Sequence, residues 1–288
     1  MKQFKLMMLG LALSAGFTTQ MQAQEAQSFV HQQSNTEDYV WPTDPQVLTK
    51  LKHWQDQKFG VLMHWGLYSV PGIVESWSIC SEDWIVRERK PTYEEDKAWY
   101  WSQKDSLNPV NFDPGKWADV MKKAGMKYMI FTTKHHDGFC MFDTKYTDFS
   151  IAHGPFGKDP RHNIAKEVFN AYRNKGFMIG CYFSKPDWHS KWFWNPYYAT
   201  PNRRINYKKK QHPDWWQNYR KFTQNQLNEL TTDYGNIDIL WLDGGWITGD
   251  EIGLDTILVD ARKRNPGMIS VDRTIRGKNE NYQTPEQG

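Results

Sequence analysis

Short, nearly unbroken apolar runs recur along the chain, each bounded by turn residues. They are Phe59-Gly60-Val61-Leu62-Met63-His64, Tyr128-Met129-Ile130-Phe131-Thr132-Thr133, Met178-Ile179-Gly180-Cys181-Tyr182-Phe183, Ile237-Asp238-Ile239-Leu240-Trp241-Leu242 and Met268-Ile269-Ser270-Val271. The stretches between them have helical spacing. Lys116 to Ala124 places Trp117, Val120, Met121 and Ala124 on one face and stops at Gly125. Ile164 to Tyr172 ends near Gly176, Trp215 to Leu230 is long and amphipathic, and residues 251–263 read as a further helix. Strands apolar on both faces, alternating with helices, predict a parallel sheet covered on both sides. The expected fold is α/β, a (β/α)8-type TIM-like barrel with about five βα units visible and its C-terminal part missing. A doubly wound open sheet is the competing architecture, and no Gly-rich phosphate loop supports it.

The residues just after each run sharpen the barrel reading. His64-Trp65-Gly66 comes after the first, Lys134-His135-His136-Asp137-Gly138-Phe139 after the second, and Tyr182, Ser184 and Lys185 close the third. Asp243-Gly244-Gly245-Trp246 ends the fourth and Asp272-Arg273 the fifth. Polar groups collected at strand ends are the material of a barrel active site.

The ends of the chain divide it into segments. Lys2 and Lys5 precede a brief apolar stretch, Leu6 to Phe17, and a polar segment leads to Ala23, so residues 1–23 read as a signal peptide. The stretch is too short to span a bilayer. Export to the periplasm or outside the cell is therefore the expectation, with no stable membrane insertion. Residues 24–50 are polar and aperiodic and read as an N-terminal extension wrapping the surface, with the barrel domain over 51–288.

Composition narrows the partners. The net charge is +3, from 36 basic and 33 acidic residues mixed along the chain, which gives no electrostatic case for nucleic acid. Cys80, Cys140 and Cys181 are widely spaced and form no zinc pattern, so buried free thiols are the default, with a disulfide permitted by the compartment. The 15 Trp residues, many outside the periodic runs, fit either a Trp-rich core or flat platforms for sugar C–H faces.

The candidate chemistry centres on Asp243. A carboxylate after a run as apolar as Ile239–Leu242 is desolvated unless it faces a polar cleft, although it could also simply cap the following turn. In such a cleft it can act as the nucleophile of glycoside hydrolysis, with a second carboxyl protonating the leaving oxygen. Glu280 and Glu286 are the available second acids near the fifth run. The imidazoles of His64, His135 and His136 suit sugar hydroxyls. A metal site built from them with Asp243 stays open, against the argument that adjacent strand residues point to opposite sides.

These segments together resemble glycoside hydrolase family 29, the retaining α-L-fucosidases, from about Trp54 onward. The resemblance is carried by Lys58-Phe59-Gly60 with His64-Trp65-Gly66-Leu67-Tyr68-Ser69-Val70-Pro71, then Lys134 to Phe139, then Leu240-Trp241-Leu242-Asp243-Gly244. It implies a secreted exo-α-L-fucosidase acting on terminal fucosyl linkages of glycans by double displacement through a fucosyl-Asp243 intermediate, without a cofactor. It further implies that His64, Trp65, His135, His136, Tyr182, Trp241 and Arg273 bind the sugar, with Glu75 and Trp77 as a weaker match because Glu75-Ser76-Trp77 carries one inserted residue. A Thr-x-Glu segment after the pocket Arg often carries the acid/base in that family. Thr284-Pro285-Glu286 stands there, so Glu286 is the expected acid/base, with Glu280 or a residue beyond 288 as alternatives. A barrel of the same type acting on another sugar, a fucosylated-glycan-binding barrel without turnover, and a metal-dependent hydrolase are the other readings.

Overall fold

The computed structural model describes residues 40–81, 92–200, 202–273 and 279–284. Its centre is a parallel sheet of β1 (Gly60–Met63), β2 (Tyr128–Lys134), β3 (Met178–Ser184), β4 (Ile239–Asp243) and β5 (Ile269–Val271), paired in that order. Each strand adds beside the one before it, with partners such as Met129↔Ile179, Tyr182↔Trp241 and Leu240↔Ser270. This unreversed order is that of a barrel wall. A doubly wound sheet reverses its order partway.

The two faces of the sheet bury different things. Met129, Phe131, Ile179, Phe183, Leu240 and Leu242 point outward into the main core. There they meet Val168, Phe169 and Tyr172 of α4 (Ile164–Asn174) and Tyr219, Leu227 and Leu230 of α5 (Pro213–Asp233). Ile130, Tyr182, Ile239, Ile269 and Val271 alternate with these and line the inner face, with Trp241 beside them. Gly180 sits on that face because a Cβ there would lie 2.5 Å from Ile130 Cγ1.

The inner face is closed at one end by α1 (Pro45–Gln57), through Val47 and Leu51, with the rings of Trp54 and Tyr282 tilted against each other 4.2 Å apart. Asp44 caps this helix by accepting from Gln46 N at 2.8 Å, and Lys50 ties it to Asp238 at 2.5 Å. The expected surface extension over 24–50 is therefore corrected at its end. Pro45–Lys50 are the first turns of a packed helix, and it reads as polar because only Val47 and Leu51 are fully buried. The proposed signal segment lies outside the described residues.

Other helices also depart from the sequence reading. α2 (Tyr93–Ser102) has no counterpart among the expected helices, yet Thr92 and Glu95 form a reciprocal capping box at its start. The helix expected over 251–263 is two, α6 (Gly249–Ile252) and α7 (Leu254–Arg264), divided at Gly253 with φ 72°. The helix expected from Lys116 is α3 (Pro114–Lys123), capped by Asp113. Cys80, Cys140 and Cys181 are buried thiols. Among the described residues no helix is long and apolar enough to cross a membrane.

Candidate active site

The carboxy-terminal ends of the strands converge on one pocket. His64 follows β1, and its Nδ1 lies 2.6 Å from Thr132 Oγ1 on β2. His135 Nδ1 lies 2.5 Å from Ser76 Oγ, and His136 Nδ1 lies 2.7 Å from Ser184 Oγ at the end of β3. Each imidazole is thus held by a hydroxyl through Nδ1, which turns Nε2 toward a shared space bounded by carboxylates. Glu75 Oε1 is 3.9 Å from His64 Nε2 and Glu75 Oε2 is 3.4 Å from His135 Nε2. Asp243 Oδ2 is 3.8 Å from His136 Nε2.

Adjacent histidines on a regular strand would face opposite ways. Here β2 ends at Lys134 after a register irregularity between Thr132 and Lys134, and the chain turns. The rings of His135 and His136 consequently share one side, with centroids 4.3 Å apart. The alternation argument against their joint use does not apply.

Asp243 is the best-supported anion of the site. Tyr182 Oη donates to its Oδ2 at 2.5 Å, Gly244 N donates to Oδ1 at 2.8 Å, and Arg273 Nε stands 3.4 Å from Oδ1. Burial pushes its pKa up, but Arg273, the Tyr182 hydroxyl and the Gly244 N–H more than offset that and hold the carboxyl well below its usual range. Gly244 takes φ 87°, and a Cβ there would lie 2.2 Å from Pro186 Cδ. Only glycine allows the turn that brings this N–H back to the carboxylate.

Strain marks the same groups. Glu75 and Arg273 are non-glycine residues in left-handed backbone, with φ 44° and 48°. Each such conformation costs on the order of 1–3 kcal/mol and persists where surrounding contacts over-determine it. The His135 hydrogen bond outweighs burial and lowers the pKa of Glu75, so that it is a second anion. His64 is lowered to about 4 by burial and by His135, and His136 is pushed well below its ordinary value by the same two causes. Both rings are neutral near pH 7.

An aromatic wall flanks the histidines. Trp77 and Trp246 lie 5.1 and 4.9 Å from the His136 ring, and Trp188 lies 5.5 Å from Trp77. The Arg203 guanidinium sits over Trp77 at 4.8 Å and over Trp246 at 5.2 Å. Arg203 comes from the 186–212 loop, which carries no readable motif.

The structure brings His64, Glu75, Trp77, His135, His136, Tyr182, Asp243 and Arg273 together. It places Trp65 elsewhere, with its ring 5.7 Å from Phe112 and 5.4 Å from Trp117 in the layer beneath α3. Trp241 lies two residues below Asp243 on the inner face, 6.2 Å from Tyr282. Lys134 turns away into the outer layer, where Nζ donates to Asp187 at 3.1 Å and Gln226 at 3.0 Å. Asp137 is buried and accepts from Tyr100 Oη at 2.6 Å. The inserted residue that weakened the Glu75-Ser76-Trp77 match leaves Glu75 and Trp77 in the pocket, and Ser76 is the hydroxyl that holds His135.

The expected acid/base Glu286 lies outside the described residues. Glu280 is described and buried, and burial together with Asp272 pushes its pKa up to about 7. Lys185, fully buried, spans from β3 to Asp272, donating to its carboxylate at 2.6 Å and to its backbone carbonyl. Ligand atoms of His135, His136 and Asp243 lie within 4.8 Å of one another, a spacing that admits a cation. However, Arg273 already supplies the positive charge beside Asp243, and a second cation there would be repelled.

Known proteins resemble this chain in both sequence and fold. A family model described as "Alpha-L-fucosidase" matches residues 26–288. The human plasma alpha-L-fucosidase is 29% identical over 211 residues, covering 68% of this chain and 40% of the relative. The solved structure of alpha-L-fucosidase isoenzyme 1 from Paenibacillus thiaminolyticus is 32% identical with a TM-score of 0.62, over 78% of this chain and 50% of that one. A Bacteroides thetaiotaomicron alpha-L-fucosidase, described as a trapped covalent intermediate with 2-fluoro-fucosyl fluoride, is 29% identical with a TM-score of 0.59, over 83% and 50%. The chain spans half or less of the length of these three proteins.

Proposed function

This chain belongs to the α-L-fucosidase family, and from that membership we propose that it hydrolyses terminal α-L-fucosyl linkages of glycans with net retention, using Asp243 as nucleophile. The observation that carries the proposal is the carboxylate of Asp243, kept ionised by Arg273, Tyr182 and Gly244 N–H beside the neutral imidazoles of His64 and His136. A nucleophile needs an unprotonated, oriented oxygen, and a sugar needs hydrogen-bond donors and acceptors around its hydroxyls. Both requirements are supported by this arrangement.

In the first step an Asp243 oxygen forms a bond to the anomeric carbon as the bond to the aglycone oxygen breaks, and a carboxylic acid gives that oxygen its proton. In the second, the same group, now a carboxylate, takes a proton from water as the water oxygen displaces Asp243. The acid must hold its proton near neutral pH. Of the two candidates, Glu280 has the raised pKa that the role needs, and Glu286 has the sequence position. Glu75 is unsuited, being held ionised by His135. His64, His135, His136 and Glu75 are the proposed partners of the sugar hydroxyls, and Trp77 with Trp246 offers the flat surface. A glycan-binding barrel without turnover would not need a carboxylate held so firmly ionised.

Export through a leader ending near Ala23 is part of the same proposal. It is supported by the basic and apolar segments of residues 1–17 and is tested by the N-terminal residue of the mature protein.

The enzymatic reading is tested with the full chain and an aryl α-L-fucoside. Asp243→Gly should lower turnover by several orders of magnitude, and azide should restore part of it as the fucosyl azide. Undiminished turnover in that variant overturns the assignment.

A further inference from the structure

We infer that Ser184 fixes the proton of His136 on Nδ1, so that His136 Nε2 is a hydrogen-bond acceptor and selects a sugar hydroxyl that donates to it. The identity of the ligand as a fucoside rests on the function proposed above; the placement of the proton does not.

A serine hydroxyl has a single proton to give. Ser184 Oγ lies 2.6 Å from the carbonyl oxygen of Pro186, and a carbonyl only accepts, so that proton points to Pro186. The same Oγ lies 2.7 Å from His136 Nδ1. With its proton already committed, Ser184 can only accept here, and Nδ1 must carry the hydrogen. His136 is 1% exposed, and burial beside His135 keeps the ring neutral. A neutral imidazole has one N–H, so Nε2 is left with a bare lone pair.

That lone pair faces the pocket. It stands 3.8 Å from Asp243 Oδ2, which itself accepts from Tyr182. Two acceptors side by side attract a donor between them, and a sugar hydroxyl is such a donor. The neighbouring ring behaves in the opposite sense. His135 Nε2 faces Glu75 Oε2 at 3.4 Å, so Nε2 carries a hydrogen toward that carboxylate, and Ser76 Oγ lies 2.5 Å from Nδ1. Consecutive histidines therefore present an acceptor and a donor to the same space. A hydroxyl read by His136 cannot be replaced by fluorine or a methyl ether, which lack the proton. A site whose polar groups require a partner discriminates against an analogue lacking it more strongly than an apolar pocket does.

Ser184 acts here through His136 and is a positioning residue, so its test reads the proton directly. The full chain labelled with ¹⁵N-histidine, at pH 7 without ligand, gives each ring's tautomer from long-range ¹H–¹⁵N correlations. The signals of His136 are those lost in His136→Gln. Nδ1–H is expected in the parent and in Ser184→Thr, and a shift to Nε2–H in Ser184→Ala. Nε2–H in the parent, or Nδ1–H kept in Ser184→Ala, overturns the inference.

A second arm uses L-fucose and its monofluoro analogues as inhibitors, so that inductive effects on bond cleavage do not enter. Replacing one particular hydroxyl should weaken inhibition roughly tenfold or more in the parent and within about threefold in Ser184→Ala. Equal tolerance of fluorine at every position of the parent contradicts the acceptor role. A chain that neither binds L-fucose nor cleaves fucosides, yet shows the Nδ1–H tautomer, refutes the fucosidase reading and leaves the proton where it is assigned.

Discussion

The Tyr182 hydroxyl donates to Asp243 Oδ2 at 2.5 Å, from a strand directly paired with that of the carboxylate through Tyr182↔Trp241 and Ser184↔Asp243. The contact follows from alternation, since both side chains stand on the inner face of neighbouring strands. Removing it with Tyr182→Phe takes a hydrogen bond from the charged form, so the pKa of Asp243 should rise. The acid limb of the pH profile of kcat/KM should move toward neutrality, and kcat/KM should fall roughly 10–100-fold, the equivalent of one hydrogen bond to a charged group. The check is a pH–rate profile of both proteins on an aryl α-L-fucoside.

Lys185 and Asp272 form an ion pair in which the ammonium is fully buried. Desolvation lowers the pKa of Lys185, and Asp272 opposes that shift. Lys185→Met removes the buried ammonium beside the Asp272 carboxylate and should destabilise the fold by about 3 kcal/mol. Lys185→Met combined with Asp272→Asn should recover much of that loss. Urea unfolding midpoints of the three proteins decide it, and a single variant as stable as the parent would show that the pair contributes little.

Glu280 has its pKa raised from 4.5 to about 7 by burial and by Asp272. The folded state therefore holds the proton more tightly than the unfolded one. Below about pH 4.5 both states carry it, and the stability present there is lost as pH rises from that value through 7. The loss is on the order of 3 kcal/mol. In Glu280→Gln the stability difference between pH 5 and pH 8 should shrink accordingly, measured by unfolding at both values. If Glu280 is also the acid, the same substitution should abolish the fall in activity above neutrality, and aryl fucosides with good leaving groups should be less affected than those with poor ones.

Burial pushes the Cys181 thiol up to about 12 and that of Cys140 higher still, and Cys80 is equally inaccessible. The native protein should resist thiol-directed alkylation at pH 8 and take up three equivalents only on unfolding, read by intact mass. Rapid labelling of the native protein would mean that one of these side chains reaches solvent.

The strands are legible in the sequence because β2, β3 and β4 are apolar on both faces, and their polar ends stand out against those runs. The features the sequence conceals have physical causes. His135 and His136 share a side because β2 ends before them, a boundary that periodicity does not resolve. Lys134 looks like a site residue from its neighbours, but the register irregularity after Thr132 sends it outward to Asp187 and Gln226. Trp65, next to His64, is turned the other way by alternation. The helix α2 carries a readable start in Thr92-x-x-Glu95. The hydroxyls of Ser76, Thr132 and Ser184 have no such signal, since their partners are 59, 68 and 48 residues away in the chain.

The central claim is that the Asp243 carboxylate becomes covalently bonded to the sugar. Incubating the full chain with 2-fluoro-fucosyl fluoride, then digesting it and sequencing the labelled peptide by tandem mass spectrometry, reads that bond directly. A 2-fluoro-fucosyl ester on Asp243, absent from Asp243→Asn, is expected. An adduct on another carboxylate, or steady turnover of fucosides by Asp243→Asn, contradicts it.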